Sequence, residues 1–387
     1  RPEFSGEFPL AILAEEILTP GEGQLRGLLG MAGNMVLSMA DGHNSEKALQ
    51  ALEFYVAVDP YLNETTRFAD VIIPPCGPLE KSHYDMFYHL YDTINWTKYA
   101  PPLFVTEHSR WTDFEIFTEL MGRFAHHRAQ SPLKKLFIRG VHKLVSRFLK
   151  PETFLALGLR FGPYGKGLNP FNKDGLTLKK LKQHPHGIFL GDLDYTFPEG
   201  LRTADKKIQL TPFAFVNDLP RLRAWFVDGG MERQETDSAF DLKIISRLTN
   251  RTLGWMHHSH RLVKGKNPCE LMINPADAEA RGIKGDSIVT VTSRTGQIQL
   301  PVDITGDIMP GVVCMPHLWG HGRKNTRQQV ANANPGVSMN DITDVQGYDH
   351  LTNNAIVNGV PVKVEPVARA ESNEIDHEDE TVEEYLA

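Results

Sequence analysis

Apolar positions in the first 120 residues come in short unbroken runs rather than in strict alternation. Residues 25–31, 54–58 and 70–73 each read as a strand rich in Leu, Val, Ile or aromatic side chains. Between and before them lie stretches with helical character: 8–18, stopped by Thr19-Pro20-Gly21, then 45–53 with Ser45 as candidate cap, then a helical turn over 64–69. Strand, helix, strand, with strands apolar on both faces, predicts a parallel sheet covered by helices on each side, a Rossmann-like α/β domain. The strand over 70–73 must stop at Pro74-Pro75, because neither proline can donate a ladder hydrogen bond.

In open sheets of this kind ligands bind beyond the carboxyl ends of the strands. Three predicted strand ends carry small or polar residues: Gly33-Asn34, Asp59, and Pro74-Pro75 leading to Glu80-Lys81. Gly33 allows close backbone approach to a ligand. Asn34 and Asp59 can hydrogen-bond a ribose or a purine edge, and Lys81 can meet a phosphate. On pattern alone, Asn34 and Asp59 serve equally well as turn-closing residues.

Residues 121–240 read as a helical insertion punctuated by Pro and Gly. Its clearest helix covers 133–150, with Leu133, Phe137, Val141, Leu144 and Phe148 on one stripe. Lys134, Lys135, Arg139, Lys143, Arg147 and Lys150 fill the remaining face. Such a helix is either solvated on its polar side or in contact with an anionic membrane or a partner. Asp113 falls near a helix start, where a carboxylate suits the dipole, and capping alone would account for it. From residue 241 the pattern turns β-rich. "LKIISRL", the run 287–292, "GQIQLPVDIT", "GVVCMP" and "AIVNGVPVKVEPV" give strands at regular spacing with Gly and Asp turns, and "INPADAEARG" a short helix. That spacing predicts a small barrel. The expected divisions are 1–120 and 121–240 for the α/β domain with its insertion, 241–367 for the barrel, and 368–387 for an acidic tail.

Composition adds limits. The 387 residues are 41% hydrophobic and 23% charged with net charge −7, an ordinary globular balance and no sign of a nucleic-acid coat. Part of that charge is local: between Glu371 and Glu384 there are eight acidic residues and no Lys or Arg, which predicts a disordered, solvated tail. Cys76, Cys269 and Cys314 lie far apart without a CxxC pair, so the sequence makes no case for an iron–sulfur cluster, a structural zinc or a disulfide. No apolar run approaches the roughly 20 residues of a membrane span. "MHHSH" (His257, His258, His260) invites a metal reading, but adjacent histidines rarely converge on one ion, and a structural or ligand-contact role fits better. His317 and His321 have helical spacing, but Trp319-Gly320 between them argues a turn rather than a zinc site.

Several stretches in order resemble the C-terminal half of the molybdopterin oxidoreductases, the dimethyl-sulfoxide-reductase family: "MAGNMVLS", "FYVAVDPYLNETTRFADVIIPPCGPLEK", "ISRLTNRTLGWMHHSHRL", "LMINPADAEARGIKGDSIVTVTSRTGQIQLPVDITGDIMPGVVCMPHLWG" and "MNDITD". The resemblance spans residues 1–367. It implies two molybdopterin guanine dinucleotides around molybdenum or tungsten, an α/β domain holding one nucleotide, and a double-psi-barrel-like C-terminal domain covering both pterins. It further implies that Gly33, Asn34, Asp59, Glu80, Lys81 and Asp113 contact cofactor from the α/β part. In the barrel the implied contacts are Arg247, Thr249, Asn250, Trp255 and His257 from the loop 247–257, with Asn340 and Asn358. The family's metal ligand and any iron–sulfur cluster belong to an N-terminal part outside this sequence, so no catalytic or metal-ligating residue is assigned here.

The activity implied by the resemblance is two-electron redox of a small substrate, formate first, with nitrate or another oxo-acceptor as the alternative, in a setting of anaerobic respiration. Expected partners are the N-terminal half of the same enzyme and an electron-transfer protein. The expected compartment is cytoplasmic, or periplasmic if an export signal lies in the N-terminal part. A non-catalytic cofactor-binding or assembly subunit is the rival reading. A plain dinucleotide dehydrogenase is disfavoured, since "LLGMAGN" lacks the third glycine of a GxGxxG turn.

Overall fold

The computed structural model describes residues 6–104, 111–148, 150–165, 167, 175–194, 196–228, 239–249, 254–262 and 269–367. Helix α1 (Leu13–Leu18) leads to strand β1 (Gly27–Met31), followed by α2 (Met35–Ser38), α3 (Gly42–Ala51), β2 (Phe54–Val58) and β3 (Val71–Ile72). The three strands are parallel in the order β1-β2-β3, with Gly27 opposite Phe54 and Val56 opposite Val71. Ile73 still donates its N–H to Ala57, and the ladder ends at Pro74, as the missing proline donor requires.

Two expectations need correction. The strands are not buried on both faces: helices cover one face, where Val36, Leu37, Leu49, Tyr55 and Ala57 pack, but Leu29, Met31, Phe54 and Val71 on the other are 41–53% exposed. An unbroken apolar run reports affinity for burial, not whether a covering layer is present. The cap of α3 is Asp41, not Ser45. Asp41 sits at φ 55° and its carboxylate accepts from the Asn44 N–H at 3.0 Å, while Ser45 lies inside the helix and donates its hydroxyl to the Asp41 carbonyl.

The insertion holds two small antiparallel ribbons, β4 (His83–Tyr84) with β6 (Tyr99–Ala100) and β5 (Asn95–Thr97) with β7 (Ile188–Gly191). With them lie α4 (Asp113–Arg128), α5 (Pro132–Phe148), α6 (Pro151–Phe161) and α7 (Leu178–Lys182), and α8 (Phe213–Phe226) follows in the chain. Asp113 lies in the first turn of α4, where its carboxylate suits the dipole as expected, but it is not the cap. Thr112 caps α4 in a reciprocal box: its hydroxyl accepts from the Glu115 N–H at 3.3 Å, and the Glu115 carboxylate accepts from the Thr112 N–H at 2.9 Å. Thr112→Ala is therefore expected to cost about 1 kcal/mol, read as a lower midpoint in denaturant unfolding. An unchanged midpoint would show that packing alone fixes this helix end.

The chain then closes a barrel from β8 (Leu242–Arg247), β9 (Leu271–Ile273), β10 (Ile288–Thr292), β11 (Gln297–Ile304), β12 (Val312–Pro316) and β13 (Val360–Pro366). The closed order is β10-β11-β9-β12-β8-β13, with β8/β12 and β9/β11 parallel and the other pairs antiparallel. This mixed, closed barrel is the double-psi-like architecture expected. In β11, Ile298, Leu300 and Val302 point inward while Gln297, Gln299 and Pro301 face solvent. They meet Val289, Val291, Leu271, Ile273, Val313, Met315 and Val362 in one core. The three-residue strand β9 was not anticipated. The acidic tail lies outside the described residues.

Polar contacts hold the barrel to the α/β part. The Asn340 amide donates to the Leu37 carbonyl at 2.7 Å, and the Thr343 hydroxyl accepts from the Asp41 N–H at 3.4 Å. Glu46 of α3 pairs with Arg67 at 2.9 Å and with Arg323 at 2.7 Å, and Arg323 continues to Asp341 at 2.5 Å.

Candidate cofactor site at the sheet–barrel junction

Residues beyond the ends of β1 and β2 converge on a buried carboxylate that sequence reasoning assigned no role, Glu64. Gly33 follows β1 at φ 79° with open space where a Cβ would stand. Asn34 comes next, and its side chain does not cap α2. Its amide donates to Glu64 Oε2 at 2.5 Å, and its carbonyl oxygen accepts from the Thr65 hydroxyl at 2.8 Å. From the barrel side, Gln328 Nε2 donates to Glu64 Oε1 at 2.6 Å, and His321 Nδ1 lies 3.3 Å from the same oxygen. Glu64 and His321 are essentially without solvent contact.

Burial pushes the Glu64 carboxyl pKa up. The hydrogen bond and charge of His321, with the Asn34 amide and the Glu64 backbone N–H, outweigh that and hold it below its ordinary value. The carboxylate is thus kept ionised in a buried place because its acceptor sites are filled. Two polar atoms at the junction, His321 Nε2 and Gln328 Oε1, are buried without a hydrogen-bond partner among the described residues.

The loop after β8 supplies an aromatic lining. His257 is buried, 4.5 Å between ring centres from His321 and 4.7 Å edge-on to Trp319. His258 stacks flat on Tyr61 at 3.8 Å, which ties this loop to the turn after β2. Burial lowers the His258 pKa, and proximity to His321 adds to this, so it favours the neutral ring. Trp255 on the same short 3₁₀ turn is exposed. Among the described residues no group of three or more His, Cys, Asp or Glu side chains could hold a metal ion. Leu318 at φ 59° and Gly320 at φ 118° make the segment between His317 and His321 a turn, as expected.

The other nominated residues fall in separate clusters. Asp59 is buried and closes a turn, accepting from the Tyr61 N–H at 2.8 Å and the Asn63 amide at 3.3 Å. Burial raises its pKa, against the lowering effect of those two bonds. Glu80 accepts from the Gly77 N–H at 2.6 Å, and Lys81 forms an ion pair with Asp113. These three residues line a cleft of ≈ 540 Å³ with Trp111, Lys150 and Glu152. On the barrel, Asn358 accepts from the Ser246 N–H at 2.7 Å and from its hydroxyl at 2.9 Å, next to Arg247 at the end of β8. Thr249 is half-buried just beyond, and Asn250 lies outside the described residues. Asn340 is buried and used in the contact to Leu37.

Sequence reasoning missed Glu64, Tyr61, His258, His321 and Gln328 as one group. The only available signal was the Asn-Glu-Thr-Thr run after β2, which places a charged residue between groups suited to turns.

A family model described as the molydopterin dinucleotide binding domain matches residues 244–361. The chain is 26% identical over 340 residues to the F420-dependent formate dehydrogenase subunit alpha of Methanocaldococcus jannaschii, covering 85% of this chain and 42% of that one. It is 26% identical over 293 residues to trimethylamine-N-oxide reductase 1 of Escherichia coli, covering 69% and 31%. It therefore spans less than half the length of either relative. Among solved structures, acetylene hydratase from Pelobacter acetylenicus shares the fold with a TM-score of 0.65 at 14% identity, covering 92% of this chain and 46% of that one.

Proposed function

We propose that this chain is a C-terminal part of a molybdopterin oxidoreductase of the dimethyl-sulfoxide-reductase family, and that it holds the nucleotide and pterin groups of a two-electron redox enzyme. The carrying observation is that the dinucleotide-binding match over residues 244–361 takes in most of the barrel together with His321, Gln328 and Asn340, the residues that contact the α/β part. When bound, the molybdenum or tungsten pterin cofactor supplies the electron-transfer chemistry with a small substrate.

The residues present fit such a group. Gly33 leaves room beside the backbone, and His321 Nε2 and Gln328 Oε1 are buried polar atoms suited to a polar ligand or an ordered water. Asn34, Glu64, His257 and His258 hold the junction in one arrangement. Lys81 and Arg247, in separate clusters, are the proposed cations for phosphate oxygens, and Asp59 is the proposed acceptor for a guanine edge. Thr249, Trp255, Asn340 and Asn358 are the proposed polar and aromatic contacts from the barrel, Asn250 lies outside the described residues, and Asp113 sets the position of Lys81 through their ion pair.

Formate oxidation is the proposed reaction, supported by the formate dehydrogenase relative. Reduction of trimethylamine-N-oxide, nitrate or another oxo-acceptor is the second reading, supported by the trimethylamine-N-oxide reductase relative. The N-terminal part of the same enzyme and an electron-transfer protein are the proposed partners. The test is elemental analysis of the whole purified protein for molybdenum and tungsten, with acid release of nucleotide. Metal with a pair of guanine nucleotides is the expected result. Their absence from fully processed protein would favour a non-catalytic assembly role. In the same assay Asp59→Ala and Lys81→Ala are each expected to lower nucleotide content severalfold, and full retention in both would remove them from the site.

A further inference from the structure

We propose that α5 is a membrane-surface helix that seats the whole enzyme on an anionic lipid headgroup layer. The starting observation is the direction of its apolar stripe. Ile138, His142 and Val145 are its half-buried positions along the contact with α4, where Gly122 lies directly against the His142 ring. Leu133, Phe137, Leu144 and Phe148 recur on a different face, are 60–81% exposed, and are joined there by Val141. Helical geometry gathers these five within roughly 100° of arc. No residue of α5 is buried, although it is among the most apolar-striped helices of the chain. A helix that only needed to pack on α4 would turn that stripe inward.

Charge selects the occupant. Lys134 borders the stripe on one side and Lys143 and Arg147 on the other, with Lys135 and Arg139 further round, and α5 carries no Asp or Glu. This basic face belongs to a chain of net charge −7. A second copy of α5 would bring like charges together. An anionic bilayer satisfies both features, with Phe and Leu side chains at the acyl boundary and Lys and Arg at the headgroups. Among the described residues no helix is long and apolar enough to cross a membrane, so the seat is a surface one.

The test is co-sedimentation of the full-length protein with vesicles of phosphatidylglycerol and phosphatidylcholine, against phosphatidylcholine alone. Binding is expected only to the anionic vesicles and is expected to fall as salt rises. Phe137→Gln with Leu144→Gln should weaken partitioning by tenfold or more. Lys143→Gln and Arg147→Gln should each weaken it about fivefold. All four positions are exposed, so unchanged unfolding curves will separate loss of binding from loss of fold. No binding of the intact protein to anionic vesicles overturns the proposal, as does binding that these variants leave unchanged. A protein partner or a second copy covering α5 would give the first of these results.

Discussion

Glu64→Ala is expected to lower the unfolding free energy by about 3–5 kcal/mol, the largest effect anticipated for a single substitution in this chain. The reason is what it leaves behind. Asn34 Nδ2, Gln328 Nε2 and His321 Nδ1 all direct their polar groups at this carboxylate, which has no solvent contact, and none has a second acceptor among the described residues. Each orphaned group then bears its full desolvation penalty. Because Asn34 belongs to the α/β part and His321 and Gln328 to the barrel side, the loss falls on the contact between the two. Denaturant unfolding should show either a lower single midpoint or a split into two transitions. A midpoint within error of the parent protein would mean that the junction is not stabilising. Glu64→Gln keeps one acceptor and should lose less.

The same residue sets a pH dependence. The folded-state pKa of Glu64 lies below its ordinary value of 4.5. A depressed carboxyl pKa contributes stability that is fully present above the unfolded value and is lost as pH falls through the folded one. Acid unfolding of the parent should therefore steepen below about pH 4.5, and Glu64→Gln should flatten that part of the curve.

Gly336→Ala is expected to cost about 2–5 kcal/mol, from two sources that can be separated. Gly336 has φ 54°, where a Cβ adds about 1–2 kcal/mol of backbone strain. A Cβ there would also stand 2.4 Å from the Trp319 ring and 2.7 Å from Cys269 Sγ, both buried. Relief requires moving Trp319, and overpacking of that kind costs about 1–3 kcal/mol. Gly359→Ala is the matched control: φ is 75° and no heavy atom lies within 4 Å, so only the strain remains. Equal losses for the two would show that Trp319 yields freely. A larger loss at Gly336 should come with reduced cofactor content, since Trp319 is the edge-on neighbour of His257.

The barrel was legible because alternation is a local property. "QIQLPVDI" and "VPVKVEP" each announce an inner and an outer face within one strand. Leu271–Ile273 was missed because three residues are too few to display a period. The cap of α3 was misplaced by four residues because Ser45 and Asp41 are both acceptable caps, and the choice rests on the left-handed backbone at Asp41. Beyond the Asn-Glu-Thr-Thr run after β2, nothing local pointed to the Glu64 cluster. His321 and Gln328 are 257 and 264 positions away, and only closure of the barrel brings them near. In isolation Asn34 and Asp59 look alike; the fold gives the first to the junction and the second to its own turn.

The three-stranded order β1-β2-β3 also bears on how this polypeptide behaves in a tube. Among the described residues β1 pairs on one side only, and the strand itself carries the exposed Leu29 and Met31. A bare, apolar, parallel edge is a template for another chain's backbone. Prepared as a free-standing piece, the protein is expected to self-associate with rising concentration and temperature. A charged residue at Leu29 or Met31 would raise its solubility without touching the barrel.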